Sequence, residues 1–487
     1  MITRTRARAV GRALSCVGMA ACIAGAAQAQ APVAITNASI VDVESGRVIA
    51  GQTLLIQGNR IRQVGSTGRL QVPAGATTID GTGRFVIPGL WDMHVHATGF
   101  GIDRLFLPVL VAHGVTGVRD MFGRMAWYDS SRAFARRGEF LMPRLFGAGH
   151  ILDGKPEIWP GSVGVRDATE ATRAVDSLAM AGAGFIKVYS RLTPDAFRAA
   201  MAAAKAKRLD AGGHVPSLVA VDEALQLNMK TIEHLQMFTT ACSSREESLR
   251  GDLAAAVASP RGWDSAAVLQ RGQLGVLVET FDRARCQALA SRVAKSNTWM
   301  VPTIVVLRST SFLDDTTLRA DPRVRYIPKF FSASWDPRTD FRFRAVTPEG
   351  WATRKRVYQR QLEIVRVLHD AGAKFLAGTD LSNPWIFPGS SLHDELAHFV
   401  ANGFTPLEAL QSATLNPARF LGATDSLGTV RSGKVADLVL LDGNPLADIR
   451  NVSRVHAVIL NGQPLDRATL DAMLKTAESL ANPAPAR

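Results

Sequence analysis

Apolar and polar positions along the chain fall into three regimes. From about residue 34 to residue 87, apolar residues come in short β-branched runs (34–41 and 52–56) punctuated by Gly and Asn. This is the pattern of strands closed by turns. The same pattern returns near the other end, at 434–441 and 457–460. The simplest account is one small β-sandwich assembled from both chain ends. In between, short apolar runs alternate with helical stretches such as 196–207 and 355–371, which predicts βα units around a parallel sheet. Eight candidate strands end near His96, Arg119, Gly149, Tyr189, Val215, Leu235, Val306 and Asp380. Eight such units predict an α/β fold, a (β/α)8 TIM-like barrel with insertions. The insertions fall at 240–280 and 307–350, the second rich in Arg, Asp, Pro and Phe. Loops after barrel strands lie on the active-site face, so 307–350 is a candidate lid.

Composition fits this plan. Hydrophobic residues are 47% and charged residues 20% of 487, values of a globular enzyme with a sizeable core. The first residues differ. Arg4, Arg6, Arg8 and Arg12 precede an apolar run over 13–27, and Ala27-Gln28-Ala29 fits a small-x-small cleavage site. This predicts a secretory signal peptide at 1–29 and an exported, periplasmic or secreted protein. The run is too short to span a bilayer, so no transmembrane span is expected after its removal. Met19-Ala20-Ala21-Cys22 loosely matches a lipid-attachment site and leaves anchoring at Cys22 as the rival. The domain plan is then a signal at 1–29, sandwich strands at 30–87, the barrel at 88–424, the remaining sandwich at 425–475 and a tail at 476–487, disordered from Ala481.

Losing the four signal arginines lowers the formal charge from +13 to +9. That balance is either a solvated surface or a means of steering an anionic, carboxylate-bearing small molecule. No basic run is interleaved with aromatics, so nucleic acid is not an expected partner. Homo-oligomerisation stays open. Cys242 and Cys286 remain in the mature chain. They can pair in an oxidising compartment if the fold brings them together, which sequence does not say.

Candidate chemistry sits at the predicted strand ends. In Pro88-Gly89-Leu90-Trp91-Asp92-Met93-His94-Val95-His96, the two histidines share a face because strand side chains alternate. They make half of a metal site. Lys187 stands alone in the apolar strand Phe185-Ile186-Lys187-Val188-Tyr189, a costly place for an ammonium unless it is paired or chemically altered. His214 follows Gly212-Gly213, His234 follows Thr231-Ile232-Glu233, and Asp380 closes Phe375-Leu376-Ala377-Gly378-Thr379. Lys187, His214, His234 and Asp380 each stand at the C-terminal end of a separate predicted strand, where barrel active sites are built.

This ordered set resembles the amidohydrolase superfamily, and within it the imidazolonepropionase and prolidase-like branch, described as Xaa-Pro dipeptidases. The resemblance covers nearly the whole mature chain. It implies two divalent metal ions, zinc by the imidazole and carboxylate donors, with manganese or cobalt as alternatives. It implies that His94 and His96 hold one ion and His214 and His234 the other. Lys187, carboxylated by carbon dioxide, would bridge them, and Asp380 would be both ligand and proton shuttle. The implied activity is hydrolysis of an amide bond in a peptide or N-acyl amino acid through a metal-bridging hydroxide. An esterase, lactonase or phosphotriesterase on the same centre is the rival, and a non-catalytic binding protein is disfavoured because all six ligands are present.

Four further residues are candidates for substrate binding, each with a structural alternative. Tyr189 faces the same side of its strand as Lys187, or merely lines the barrel. His150 follows the third strand and either bonds substrate or is a loop histidine. Arg119 closes the second strand and either grips a carboxylate or forms a fixed salt bridge. His393, in Ser390-Ser391-Leu392-His393-Asp394, lies near a helix start, where it meets substrate or supports the helix. His113, His369 and His398 lie in helical patterns and read as structural. The absence of a Gly-x-Ser-x-Gly elbow and of a phosphate-binding loop argues against serine hydrolases and nucleotide enzymes.

Overall fold

A computed structural model describes residues 31–99 and 101–483. The expected signal peptide with Cys22, and positions 484–487 of the expected tail, lie outside the described residues.

Eight parallel strands in chain order form the barrel: Leu90–Val95, Val115–Asp120, Arg144–Gly147, Ile186–Val188, Ala211–Gly213, Thr231–Glu233, Trp299–Val301 and Lys374–Phe375. Backbone bonds close the ring. Met93 N donates to Ala377 O at 2.9 Å, Asp380 N to His94 O at 2.7 Å and Gly184 N to Gly147 O at 2.9 Å. Six of the eight strands are buried throughout, as a parallel sheet covered on its outside by half-buried helices requires. The helix Pro194–Ala206 shows how the sequence sets a boundary: proline opens it, and the Thr193 side chain accepts from Ala196 N, which satisfies a free donor of the first turn.

The seventh strand departs from expectation. It ends at Val301, and the apolar run beyond it is the helix Ile304–Ser311. Pro302 offers no N–H to a ladder. Glu395, from a distant helix, accepts from Ile304 N at 2.9 Å and Val305 N at 2.8 Å. A short apolar run reads equally as strand or helix, and this long-range cap decides for helix.

The strands from the chain ends hydrogen-bond as one eight-stranded sheet. Leu438–Leu441 runs antiparallel to Phe85–Pro88, with Leu438 opposite Pro88, so the two ends meet at this pair. Its buried face includes Ile35, Leu54, Ile61, Val86, Leu438 and Ile459. Only Gly89 separates Phe85–Pro88 from the first barrel strand, and Gly89 N donates to Asp437 O at 2.8 Å. The sheet thereby fixes the strand that carries His94. The last helix, Arg467–Ala481, buries Leu470 and Ala477 and packs on Asp103–Ala112. It crosses position 475, where the sandwich was expected to give way to the tail.

The first insertion is helical, Glu246–Ala258 and Trp263–Glu279. Cys242 and Cys286 form a disulfide across it, with Cα atoms 4.6 Å apart and a sequence separation of 44. The second insertion continues from Ile304–Ser311 into the short turns Thr316–Ala320, Pro322–Tyr326 and Lys329–Ala333. It is stapled by Asp–Arg pairs two residues apart, Asp321 with Arg323 and Asp340 with Arg342. Among the described residues no helix is long and apolar enough to cross a membrane.

Candidate metal centre

The six expected ligands converge at the C-terminal mouth of the barrel and line one cavity of about 930 Å³. His94 Nδ1 is bonded to Glu233 Oε2 at 2.8 Å, which leaves its Nε2 facing Asp380 Oδ1 at 3.4 Å. His96 Nε2 lies 3.0 Å from the same oxygen, and His234 Nε2 lies 3.7 Å from Asp380 Oδ2. The one-atom donors of His94, His96 and Asp380 all fall within 4.8 Å of one another. The ring of His214 packs 5.0 Å from that of His234. Lys187 is buried, and among the described residues no carboxylate lies within ion-pair distance of it.

Three of the four imidazoles are aimed by their other nitrogen, which sets tautomer and orientation. Glu233 holds His94, Ser190 Oγ holds His214 Nδ1 at 2.8 Å, and Thr303 Oγ1 holds His234 Nδ1 at 2.7 Å. Backbone strain gathers at the same place. His234, Thr303 and Asp380 have φ of 55°, 50° and 58°, left-handed conformations that cost non-glycine residues about 1–3 kcal/mol each and persist only where neighbours enforce them. Asp92 is one enforcer. It is buried beneath the site and accepts from Thr379 Oγ1 at 2.6 Å, Thr379 N at 3.0 Å and His94 N at 3.2 Å.

The electrostatics suit a cation. Burial drives His94 and His214 well below the usual imidazole range and His234 to about 4, so all three are neutral at pH 7 with a lone pair to give. Burial alone would raise Asp380, but His234, His96 and Lys187 outweigh it and hold the carboxyl at about 2. Burial also lowers Lys187 to about 8, against the pull of Glu233 and Asp380. His94 Nε2 and His96 Nδ1 are buried and make no hydrogen bond, a state that normally calls for a partner. Neutral imidazoles, an ionised carboxylate and unsatisfied ring nitrogens together fit a metal ion, and His94, His96 and Asp380 could hold one.

The four substrate candidates separate. Tyr189 and His150 line the cavity. Tyr189 stacks on His214 with ring centroids 4.0 Å apart, and its Oη accepts from Trp159 Nε1 at 2.8 Å. His150 Nδ1 pairs with Gly161 O at 2.6 Å. Arg119 and His393 do not reach the cavity, which corrects the expectation for both. Arg119 is sealed inside the barrel, donating to Met93 O at 2.6 Å, Thr231 Oγ1 at 3.1 Å and Glu233 Oε1 at 2.8 Å. It neutralises Glu233, which holds His94. His393 does start a helix, but it turns inward, where its Nε2 meets His113 O at 2.9 Å. Sequence reasoning missed Glu233, Asp92, Ser190, Thr303 and Trp159. Glu233 and Asp92 carried a legible signal, since each is an acid in an apolar strand one or two residues from a ligand.

A parallel barrel with histidines and an aspartate gathered at its C-terminal mouth defines a (β/α)8 barrel protein with a candidate metal centre. Comparison with known proteins narrows this class. The sequence model of the amidohydrolase family matches residues 347–465. An adenine deaminase from Cenarchaeum symbiosum is 31% identical over 129 residues, 26% of this chain and 20% of that protein. An ochratoxinase from Aspergillus niger is 34% identical over 112 residues, 23% of this chain and 22% of that one. The aligned part thus spans about a fifth of the length of these curated relatives. The fold is shared with a bottromycin amidohydrolase at TM-score 0.71 and 22% identity, covering 93% of this chain and 91% of that one. It is shared too with a Xaa-Pro dipeptidase crystallised with methionine in its active site, at TM-score 0.62 and 20% identity, covering 90% and 100%. Over residues 347–465 the chain is thus similar to the amidohydrolase family, and over nearly all of its length it shares the fold of these solved structures.

Proposed function

We propose that this protein hydrolyses the amide bond of a small molecule, a dipeptide or N-acyl amino acid, at a two-metal centre. The observation that carries the reading is the convergence of His94, His96, Lys187, His214, His234 and Asp380 on one cavity. His94 and His96 would hold one ion and His214 and His234 the other, with Asp380 as a ligand. Lys187 would serve as a carbamate, because an unmodified ammonium has no lone pair and this one is buried with no carboxylate at ion-pair distance among the described residues. The ions, zinc by their donor set, would polarise the carbonyl and make water nucleophilic at neutral pH.

The chain's own residues do the rest. Asp380, ionised at pH 7 and beside His96, takes a proton from the attacking water and passes it to the leaving nitrogen. The C–N bond breaks, and a carboxylic acid and an amine leave. Tyr189 has its oxygen occupied by Trp159 as an acceptor, so its O–H is available to donate to the substrate. Phe331 and Trp335 of the 307–350 segment line the cavity and keep water from the reacting bond.

The domain plan and export of the mature chain belong to this reading, and the Cys242–Cys286 disulfide supports an oxidising compartment. The test is a panel of N-acyl amino acids, dipeptides, esters and phosphotriesters on the metal-loaded protein. Amides should be turned over best. An ester preference above about a hundredfold in kcat/KM, about 2.7 kcal/mol, would replace the amidase reading.

A further inference from the structure

Three arginines line the cavity among the described residues, Arg124, Arg191 and Arg342, and their situations differ. Arg342 is spent. Its Nε and Nη2 donate to Asp340 and its Nη1 to Asn383 Oδ1 at 2.9 Å. Arg124 stands exposed at the rim, its guanidinium 5.0 Å over the Trp127 ring. Arg191 is half-buried and held, yet uncommitted. Its Nη1 donates to Pro156 O at 2.7 Å and its guanidinium lies 5.4 Å from the Trp263 ring. Among the described residues no carboxylate pairs with it, and its Nε and Nη2 have no protein acceptor.

The backbone under Arg191 is fixed as firmly as the metal site. Asp153, buried, accepts from Arg191 N at 2.8 Å, Ile158 N at 3.0 Å and Gly154 N at 2.9 Å. Arg191 also follows Lys187 and Tyr189 beyond the same barrel strand, and its side chain lines the same cavity as theirs. A guanidinium stacked on an indole and tied by one nitrogen loses little further freedom when its other nitrogens grip a planar anion. Apart from the candidate metal ligands, the charged wall has the matching sign, with Arg124, Arg191 and Arg342 set against Asp340.

We infer that Arg191 is the specificity-determining residue of this cavity, and that the substrate carries a free carboxylate which Arg191 binds through Nε and Nη2. The inference rests on the amidase reading only for what the carboxylate is attached to. It takes over the role that the sequence had offered to Arg119.

The test is binding rather than turnover, so it does not depend on amide cleavage. N-benzenesulfonyl-L-phenylalanine, whose sulfonamide resists hydrolysis, is titrated calorimetrically against its uncharged carboxamide on the metal-loaded full chain. The wild type should prefer the acid by about ten- to a hundredfold, the range of a charge-assisted hydrogen bond. Arg191→Met should bring that ratio to about one, and Arg191→Lys should restore part of it. Arg124→Met should keep the wild-type ratio. Melting curves verify that each variant is folded, and Arg191→Lys carries the test if the methionine variant is not. Failure of the acid to bind, a preference that survives in Arg191→Met (the metals then hold the carboxylate), or its loss in Arg124→Met would each overturn the assignment. Failure of the amidase reading shows separately, in the substrate panel.

Discussion

At the scale of single residues, the candidate ligands were legible and the groups that hold them mostly were not. His94, His96, Lys187, His214, His234 and Asp380 stand out because each is a polar group ending an apolar run. Glu233 and Arg119 also sit in apolar runs, but what each one faces depends on two strands far apart in sequence. Their pairing at 2.8 Å with His94 as third member explains why Arg119 is sealed away from substrate. Two predictions belong here. Asp380→Asn should cost about three orders of magnitude or more in kcat while the melting temperature stays within a few degrees, because it removes the proton carrier and keeps the volume. Glu233→Gln should weaken metal affinity by about 10–100-fold, measured by competition with a chelator, because it loosens the grip on His94 Nδ1. An unchanged affinity would reduce Glu233 to a packing role.

At the scale of elements, the barrel strands are short and several ligands sit just past them on strained backbone. Position along the strand therefore matters less than what holds the turn. The helix Ile304–Ser311 shows this. Its N-terminus, capped by Glu395, fixes Thr303, and Thr303 fixes His234. Burial pushes Glu395 up to about 8, so a carboxyl in a dry interior meets two amides that would otherwise be unsatisfied. The disulfide acts at the same scale, tying the segment after the sixth strand to the helix Arg283–Lys295. Cys286→Ser should lower the unfolding free energy by about 2–4 kcal/mol, since it frees a long loop in the unfolded chain. Denaturant titration with and without reductant checks this, and equal midpoints would show that the bond contributes nothing.

At the scale of the whole molecule, ions and protons couple to folding. Metal that binds only the folded chain stabilises it by mass action, so exhaustive chelation should lower the melting temperature and abolish turnover, and added zinc should restore both. If activity survived metal removal, the proposed chemistry would fall with it. The buried pair His113 and His393 couples folding to pH. Burial first lowers both to about 4 from an ordinary 6.5; His393 adds to the effect on His113 and Arg323 to the effect on both, while a hydrogen bond to a backbone carbonyl opposes it in each. Between those values the unfolded chain binds protons that the folded one refuses, so this contribution is intact above pH 6.5 and is lost as pH falls toward 4. Asp92 and Glu395, raised by burial to about 7 and about 8, act with the opposite sign. A difference measurement isolates the histidine. His393→Asn should lose less melting temperature than the wild type between pH 7 and pH 4.5, and an equal loss would show that His393 does not titrate with unfolding.

The sequence alone determined the barrel, the sheet shared by the chain ends and the order of the six polar residues that line the cavity. These follow from periodicity and from polar groups placed at the ends of apolar runs, which are local properties of the chain. Only the tertiary structure decided that the run after Val301 is a helix, that Cys242 and Cys286 meet, that Arg119 and His393 turn away from substrate, and that Arg191 is left with donors to spare. Each of those outcomes depends on a partner tens or hundreds of residues away, and a side chain's role is set by the partner that satisfies it.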